Sequence, residues 1–315
     1  GIAVVTPTLP VSWQLIQGLR RLRESSDLKF IIAAGGAHIS CDPEILPDLG
    51  ADFGVVGDGE DAIRMIAAHA VRGEDCLDSA PGLIRHDGNG SIRINDPAPP
   101  SALRTYPVPA RDLLQREKYF NPIMPAITTS VISARGCPFQ CAFCCRSQAM
   151  GTYRPRPVDA FLDEMQSLNA DNYGYVSVID ETFTYDRARA AEIAEGLMRM
   201  KPKFAWSCQT RADAVDAETI GLLRRAGCVN ISFGVEAGDA SVRRGVEKDI
   251  SDNDFVRAFS LCREAGITTN AFVIIGSPGE GADEIMSSVT FLKKLDPDYA
   301  AFNIGRSEEH TSELQ

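Results

Sequence analysis

Residues 135–144 read Arg-Gly-Cys-Pro-Phe-Gln-Cys-Ala-Phe-Cys, and this stretch decides the fold class. It places Cys137, Cys141 and Cys144 at C-x3-C-x2-C spacing directly after a predicted strand. Three thiolates at this spacing on one loop can hold three irons of a [4Fe-4S] cluster and leave the fourth iron without a protein ligand. The alternatives are a zinc site, which would need a fourth ligand, and cysteines that are neighbours by coincidence. Position and spacing favour the cluster and leave Cys145 outside it.

The chain around these cysteines alternates apolar, strand-like runs with amphipathic stretches from residue 127 to residue 304. Six such steps predict a partial TIM-like (β/α)6 barrel, which carries its chemistry at the C-terminal ends of the strands. Asp216 is predicted to cap the third helix and Gly266 to end the fourth. The predicted strands are 129–134, 175–180, 204–210, 230–236, 269–276 and 299–304, and the predicted helices are 157–168, 187–200, 217–226, 252–265 and 282–295.

Residues 1–72 show a second α/β pattern, which predicts part of a doubly wound, Rossmann-like domain. Residues 73–126 are rich in Gly, Pro, Asn and Asp, and they are expected to form a connector with one hairpin near Asn89-Gly90. Residues 305–315 are expected to be a non-native tail. The predicted strands of the first domain are 2–6, 30–34 and 52–56, and the predicted helices are 12–24, 43–48 and 60–70.

Composition excludes several classes of function. The 32 basic and 43 acidic residues, with no basic cluster, argue against binding to nucleic acid or an anionic membrane, and they favour a small-molecule substrate. No apolar run approaches the roughly 20 residues that span a bilayer, and no leader opens the chain. Nine cysteines, three of them within eight residues, favour metal ligation in the reducing cytoplasm over a disulfide framework.

Both ends of the sequence are unusual. The chain begins at Gly1 inside an apolar run, so we expect an upstream segment to be missing. Residues 306–315 resemble the translation of a common sequencing adapter, and we exclude them from the prediction of function. An ordinary polar tail is the alternative.

Phe143 gives the cysteine stretch the form C-x3-C-x-aromatic-C, which resembles the signature of radical S-adenosylmethionine (SAM) enzymes. The resemblance implies that the cluster cleaves SAM reductively to methionine and a 5′-deoxyadenosyl radical, with Phe143 beside the adenine. Residues 180–183 are similar to the acidic segment that the family carries after its second strand. There Asp180, in preference to Glu181, is expected to accept hydrogen bonds from the SAM ammonium. The alternative is that both acids are solvated or cap the next helix.

Three further segments resemble strand ends of the same family. Residues 209–213 are similar to its Thr-Arg-Ala-Asp run, where Arg211 would pair with a carboxylate at the SAM site or form a structural salt bridge. Residues 234–238 resemble its Gly-x-Glu-x-Gly segment, where Glu236 would accept from both ribose hydroxyls of SAM. Residues 275–280 resemble its Gly-x-Pro-Gly-Glu turn at the adenine pocket, although a plain turn is the alternative.

The amino-terminal pattern resembles that of cobalamin-binding radical SAM proteins. The resemblance rests on the Thr-Pro-Thr run 6–8, on Gly35-Gly36, and on residues 55–60 and 109–113. It implies that Thr6, Thr8, Gly35 and Gly36 contact cobalamin. The family's Asp-x-His-x-x-Gly element is absent from this chain. His38 is expected to be a surface-loop histidine and not a cobalt ligand.

The resemblance as a whole implies a cobalamin-dependent enzyme that methylates an unactivated carbon of a small molecule, supplied with electrons by a donor such as flavodoxin or ferredoxin. Cyclisation or oxidation with cobalamin, and radical SAM chemistry without cobalamin, remain alternatives. A protein whose iron–sulfur cluster serves only electron transfer or structure is the non-enzyme alternative.

Overall fold

The computed structural model describes residues 1–87, 90–97, 107–121, 124–144 and 151–305. The predicted tail after residue 305 therefore lies outside the described residues. The chain divides into two compact units. The first unit contains residues 1–87, 90–97, 144 and 151–152, and the second contains residues 107–121, 124–143 and 153–305.

The first unit is built on a five-stranded sheet in the order β1-β2-β3-β4-β5. The first three strands are parallel, as the doubly wound pattern predicts, and the last two add an antiparallel hairpin at the position predicted around Gly90. The hairpin extends this sheet to Ile94, well past residue 72. The strands are β1 Ile2–Ala3, β2 Ala33–Gly35, β3 Phe53–Val55, β4 Leu83–His86 and β5 Ile92–Ile94, and the helices are α1 Leu9–Ser25, α2 Ala37–Cys41, α3 Leu46–Leu49 and α4 Glu60–Arg72.

The second unit contains a seven-stranded sheet in the order β14-β13-β12-β11-β10-β7-β6. Six of its strands are parallel neighbours in chain order, which gives the predicted partial (β/α)6 barrel, and β6 joins antiparallel at one edge. The strands are β6 Phe120–Asn121, β7 Ala126–Val131, β10 Tyr175–Val178, β11 Ala205–Thr210, β12 Cys228–Glu236, β13 Thr268–Ile275 and β14 Tyr299–Ile304, and a separate antiparallel ribbon pairs β8 Ala134–Arg135 with β9 Arg154–Pro155.

Helices follow the barrel strands and cover the outside of the sheet with their apolar faces. Asp216 caps the third predicted helix by accepting from the Thr219 backbone N–H, and Gly266 ends the fourth in the left-handed region at φ +67°, as the sequence predicts. The helices are α5 Val158–Ala170, α6 Arg187–Met200, α7 Ala217–Arg225, α8 Ala240–Gly245, α9 Asp252–Ala265 and α10 Ala282–Leu295. Helix α8 was not predicted, because six residues are too few to show a period of 3.6.

The first barrel strand differs from its prediction. It was expected to run to residue 134, but β7 ends at Val131 and the chain turns before β8. The reason lies in Ser133, whose backbone N–H donates to Asp180 Oδ1 at 2.6 Å and not to a neighbouring strand. The turn directs the following residues away from the sheet.

The barrel core is one continuous cluster of buried apolar side chains between the sheet and the helices, with Phe161, Phe183, Trp206, Phe233 and Phe255 among its largest members. Phe183 and Trp206 pack edge to face with ring centroids 5.6 Å apart. No helix among the described residues is long and apolar enough to cross a membrane.

A buried carboxylate attaches the segment before the barrel to the barrel itself. Glu164 on α5 is 3% exposed and accepts from Arg111 at 2.7 Å and from Arg156 at 2.5 Å. Arg111 also donates to Thr129 Oγ1 and to the Ser130 carbonyl, both on β7. Arg111, in the segment 109–113 that resembles the family, therefore joins that segment to the barrel.

We predict that Glu164→Ala destabilises the barrel unit by about 3–5 kcal/mol, because it leaves two guanidinium groups without their buried partner. The measurement is urea unfolding followed by the fluorescence of buried Trp206, in a Trp13→Phe background that leaves it as the one tryptophan. Glu192→Ala, on the exposed face of α6, is the control and should shift stability by less than about 0.5 kcal/mol. Equal effects of the two substitutions would contradict the assignment.

Candidate functional site

The cysteine loop, defined as residues 136–144, begins immediately after β8. Gly136 opens it with φ at +77°, a conformation that glycine adopts without strain. Two contacts then hold the loop. The Ala142 N–H donates to the Val246 carbonyl at 3.0 Å, and Cys137 Sγ lies 3.9 Å from Thr182 Oγ1 after β10. The loop is thus fixed against the segment after β10 and against the end of α8.

The three predicted cluster ligands are all half-buried. Cys137 lies close enough to Cys141 to affect the pKa of its thiol. Cys144 belongs to the first unit, together with residues 151–152. Across the described ranges, no three His, Cys, Asp or Glu side chains form a group that would hold a metal ion. Ligation of a cluster by all three cysteines therefore stays a prediction.

Charged groups surround Cys141. Burial raises the pKa of its thiol, while the cations of Lys248 and Arg211 lower it, and the nearby thiol of Cys137 and carboxylate of Glu236 raise it. Two of these charges, Arg211 and Glu236, were predicted as site residues from different strand ends. The structure brings both to Cys141, because parallel strands end at the same edge of the sheet.

Glu236 ends β12 in an unusual backbone conformation. Its φ is +63°, in the left-handed region that non-glycine residues rarely occupy, and the register with β13 shifts between Gly234 and Glu236. Such a bulge re-aims a side chain. The carboxylate is 7% exposed and accepts a hydrogen bond from Lys248 Nζ at 2.7 Å.

Lys248 is the residue of this site that the sequence did not identify. It is 6% exposed, and its ammonium lies 6.0 Å from the ring centre of Phe143. The Phe143 ring itself is 42% exposed, so a face remains open for the predicted contact with adenine, which stays a prediction. Nothing in the residues around position 248 signals a buried cation, since charge pairing over twelve residues leaves no pattern in the sequence.

Arg211 forms a salt bridge within its own segment. It donates to both carboxylate oxygens of Asp213, at 3.0 and 2.8 Å, which is the structural alternative stated for this residue. Its guanidinium also stacks 3.8 Å from the centre of the Phe139 ring, in the middle of the cysteine loop. Phe139 packs in turn on Tyr185. Arg211, fixed by Asp213, therefore contacts the cysteine loop through the Phe139 ring.

The Asp180 side chain is buried and hydrogen-bonded to Ser133. It is 2% exposed, and its two carboxylate oxygens accept from the backbone N–H and the hydroxyl of Ser133. Arg189 donates to the same hydroxyl and to the Ser133 carbonyl. Burial raises the pKa of Asp180 to about 6, against the opposing effect of these hydrogen bonds. Both oxygens are thus engaged in the turn before the cysteine loop, while Glu181 next to it is half-buried.

The turn after β13 is held in place by the carboxylate of Glu280, a residue of the same turn. Glu280 Oε2 accepts from the backbone N–H groups of Gly276, at 2.6 Å, and Ser277, at 3.2 Å. The Gly276 φ of +94° permits the reversal. These bonds explain the Gly-x-Pro-Gly-Glu order as turn chemistry, and a contact with adenine stays a prediction.

The first unit gathers its predicted site residues at the carboxyl ends of β1 and β2. Gly36 has φ at +102°, and a Cβ there would lie 2.8 Å from the Val4 carbonyl oxygen, so only glycine fits. Gly35 is the last residue of β2, and the Gly35 carbonyl accepts from the Val4 N–H at 2.7 Å. Thr8 uses its hydroxyl locally, donating to the Val5 carbonyl at 3.0 Å.

The prediction that His38 is a surface-loop residue is wrong. His38 lies in α2 and is 1% exposed, because the tight turn at Gly36 brings the start of α2 against the end of β1. Its backbone N–H donates to the Val4 carbonyl, and Nδ1 lies 3.0 Å from Thr6 Oγ1. The other ring nitrogen, Nε2, is buried and has no hydrogen-bond partner among the residues that the structure describes.

The third strand end of this unit is tied to the same turn. Ser40 on α2 accepts from the Gly57 N–H at 2.9 Å and donates to the Gly36 carbonyl at 3.0 Å. In a doubly wound sheet, ligands bind where the carboxyl ends of the strands meet. The first unit therefore offers one candidate ligand face, lined by the turns after β1, β2 and β3.

Fold and loop position together define the class as a partial (β/α)6 barrel with a cysteine loop after its first strand. The model of the Radical SAM superfamily matches residues 131–292, which is more than half of the 315 residues. The chain belongs to this superfamily.

Relatives and solved structures extend the similarity to the first unit. An uncharacterized methyltransferase of Pyrococcus horikoshii, PH0819, is 27% identical over 96% of this chain and 66% of its own. The anaerobic magnesium-protoporphyrin IX monomethyl ester cyclase of Rubrivivax gelatinosus is 25% identical over 95% of this chain and 55% of its own. The structure of the radical SAM methyltransferase TsrM from Kitasatospora setae, with tryptophan and a SAM analogue bound, superposes with a TM-score of 0.78 at 23% identity, over 94% of this chain and 58% of its own. The chain thus spans between half and two thirds of the length of these proteins.

We predict that Asp180 makes the stability of the barrel depend on pH. Because its pKa is raised on folding from about 4 to about 6, its contribution is fully present below about pH 4 and is lost as the pH rises through 6. The free energy of unfolding relative to Asp180→Asn should therefore fall by up to about 3 kcal/mol between pH 4 and pH 7.

Urea unfolding of the cluster-free chain, followed by Trp206 fluorescence at several pH values, measures this difference. Asp171→Asn removes an exposed carboxylate at the end of α5 and should not reproduce the pH dependence. If the Asp180→Asn chain keeps the full pH dependence of the unsubstituted one, another group is responsible.

Proposed function

We propose that this chain is the cofactor-binding part of a cobalamin-dependent radical SAM enzyme that methylates an unactivated carbon of a small molecule. The observation that carries the proposal is the cysteine loop at the carboxyl edge of the barrel, with Arg211, Glu236 and Lys248 arranged around Cys141. Membership of the Radical SAM superfamily supports a cluster at this position.

The donor set suits an iron–sulfur cluster. Cys137, Cys141 and Cys144 would hold a [4Fe-4S] cluster through three thiolates. Burial raises the pKa of the Cys141 thiol, and the cations of Lys248 and Arg211 offset part of that rise. When bound, the cluster would supply the electron for reductive cleavage of SAM. A donor such as flavodoxin or ferredoxin would supply that electron in turn.

The chain's own residues would bind and orient SAM. Glu236, at the bulge that ends β12, would accept hydrogen bonds from the ribose hydroxyls. The exposed ring of Phe143 would lie beside the adenine. Arg211 would act indirectly, by holding Phe139 and the cysteine loop in place. Asp180 would shape the turn through Ser133 and leave contact with the SAM ammonium to another group.

The first unit would bind cobalamin. The face formed by the turns after its parallel strands includes Thr6, Thr8, Gly35 and Gly36. The Nε2 of buried His38, which has no hydrogen-bond partner within the described ranges, is a polar atom that a ligand could satisfy. The first unit falls within the match to TsrM, which also has a structure with cobalamin and a [4Fe-4S] cluster bound. Bound cobalamin would supply a carrier for the methyl group.

A second candidate reaction is cyclisation. It is favoured by the similarity to the magnesium-protoporphyrin IX monomethyl ester cyclase, which matches 95% of this chain. Methyl transfer is preferred, because PH0819 and TsrM are both named methyltransferases. Product analysis with labelled SAM separates the two reactions, since only methylation transfers the labelled carbon to the product.

We predict that Cys137→Ala, Cys141→Ala and Cys144→Ala each abolish cluster assembly, because three thiolates are the minimum for this site. After anaerobic reconstitution of the full-length protein, iron content and the electron paramagnetic resonance (EPR) signal of the reduced cluster would be lost in each variant. Formation of 5′-deoxyadenosine with dithionite would be lost with them.

Cys145→Ala is the matched control, since it removes the neighbouring cysteine, and it should keep both cluster and cleavage. A cluster in the Cys144→Ala variant would overturn the ligand assignment. A cluster without any SAM cleavage in the unsubstituted protein would favour the electron-transfer or structural alternative.

We predict that full-length protein carries extractable corrinoid, or takes up hydroxocobalamin, in stoichiometric amount. Gly36→Ala should prevent this, because its Cβ would meet the Val4 backbone at the candidate ligand face. Gly18→Ala in α1, where a Cβ meets nothing within 4 Å, is the control and should bind corrinoid normally. Absence of corrinoid from the unsubstituted protein would favour radical SAM chemistry without cobalamin.

A further inference from the structure

Lys248 makes the contact that fixes the carboxylate of Glu236. Its ammonium donates to Glu236 Oε1 at 2.7 Å, and the two side chains are 8% and 9% exposed. A buried carboxylate would otherwise lack a cation, at a large free-energy cost. Gly234 leaves room for the pair, since a Cβ there would collide with both the ammonium and the carboxylate.

The backbone of Glu236 does not hold the side chain in place by itself. Its left-handed φ of +63° is costly for a residue with a Cβ, and it persists only where surrounding contacts enforce it. Arg243 supplies some of these contacts by donating to the carbonyls of Ala237, at 2.7 Å, and Gly238, at 3.0 Å. Lys248 supplies the contact to the carboxylate itself.

The segment of residues 243–248, which contains Arg243 and Lys248, also contacts the cysteine loop. The Val246 carbonyl accepts from the Ala142 N–H, which lies between Cys141 and Phe143, and the Lys248 ammonium lies 6.0 Å from the Phe143 ring centre. Residues 243–248 therefore contact both the loop that would carry the cluster and the acid that would bind SAM.

We propose that Lys248 is a positioning residue for SAM: it holds the Glu236 carboxylate in the orientation that accepts the ribose hydroxyls, and its segment fixes that carboxylate relative to the cysteine loop. The inference rests on the proposed function, in which Glu236 contacts the ribose. Lys248 itself need not touch SAM, since its ammonium is already bonded to the carboxylate.

The test measures binding of S-adenosylhomocysteine, which shares the ribose of SAM, by titration calorimetry on the reconstituted full-length protein. Lys248→Met should weaken binding about 10- to 100-fold, as expected for loss of a charge-assisted hydrogen bond. Lys248→Arg should restore part of the affinity. The iron and sulfide content after reconstitution should be unchanged in both variants, since all three predicted cluster ligands remain.

Two further variants separate positioning from a merely structural role. Glu236→Gln should weaken binding, and adding Lys248→Met to it should cause little further loss, because the lysine acts through the acid. Arg244→Met removes an exposed cation on α8 and should leave affinity unchanged. Thermal unfolding of each variant gives the fraction of folded protein. The binding data are then corrected to the concentration of folded protein.

The inference is overturned if folded Lys248→Met protein binds S-adenosylhomocysteine as tightly as the unsubstituted protein. It is also overturned if the effects of Lys248→Met and Glu236→Gln add independently. If the unsubstituted protein assembles a cluster but binds no S-adenosylhomocysteine, the proposed function itself fails.

Discussion

Every carboxylate buried in the barrel must have a partner, and this constraint organises the unit. A parallel sheet brings its strand ends to one edge, where polar side chains are needed but water is partly excluded. Glu164, Asp180 and Glu236 are each less than one tenth exposed, and each accepts hydrogen bonds from residues of other segments of the chain. Their partners, two arginines, a serine and a lysine, fix the loops from which they come.

The cysteine loop depends on these same pairings. Ser133, which donates to Asp180, lies in the turn between β7 and β8, just before the loop. Arg211 is held by Asp213 and stacks on Phe139 within the loop. The backbone N–H of Ala142, also in the loop, donates to the Val246 carbonyl. These contacts hold the part of the loop between Cys137 and Phe143 against the barrel.

In the first unit, small polar side chains hold the turns after the strands by hydrogen bonds. The turns after its parallel strands are joined by Ser40, which links Gly36 to Gly57, and by the contact between Thr6 and His38. Glycine at position 36 lets the backbone approach β1 closely, which in turn buries His38. A polar residue whose burial follows from backbone conformation is hard to recognise from the sequence.

Local patterns in the sequence were enough to predict the class of protein, the six parallel barrel strands and the position of the cysteine loop. Ligand spacing and hydrophobic periodicity are local properties, so α6, α9 and α10 begin and end as predicted. Only the tertiary structure decided which charges pair. Arg111 and Glu164 are 53 residues apart, and Glu236 and Lys248 are separated by a helix too short to predict. A charged residue looks the same in a sequence whether it is solvated or buried, because its environment comes from residues that only folding brings to it.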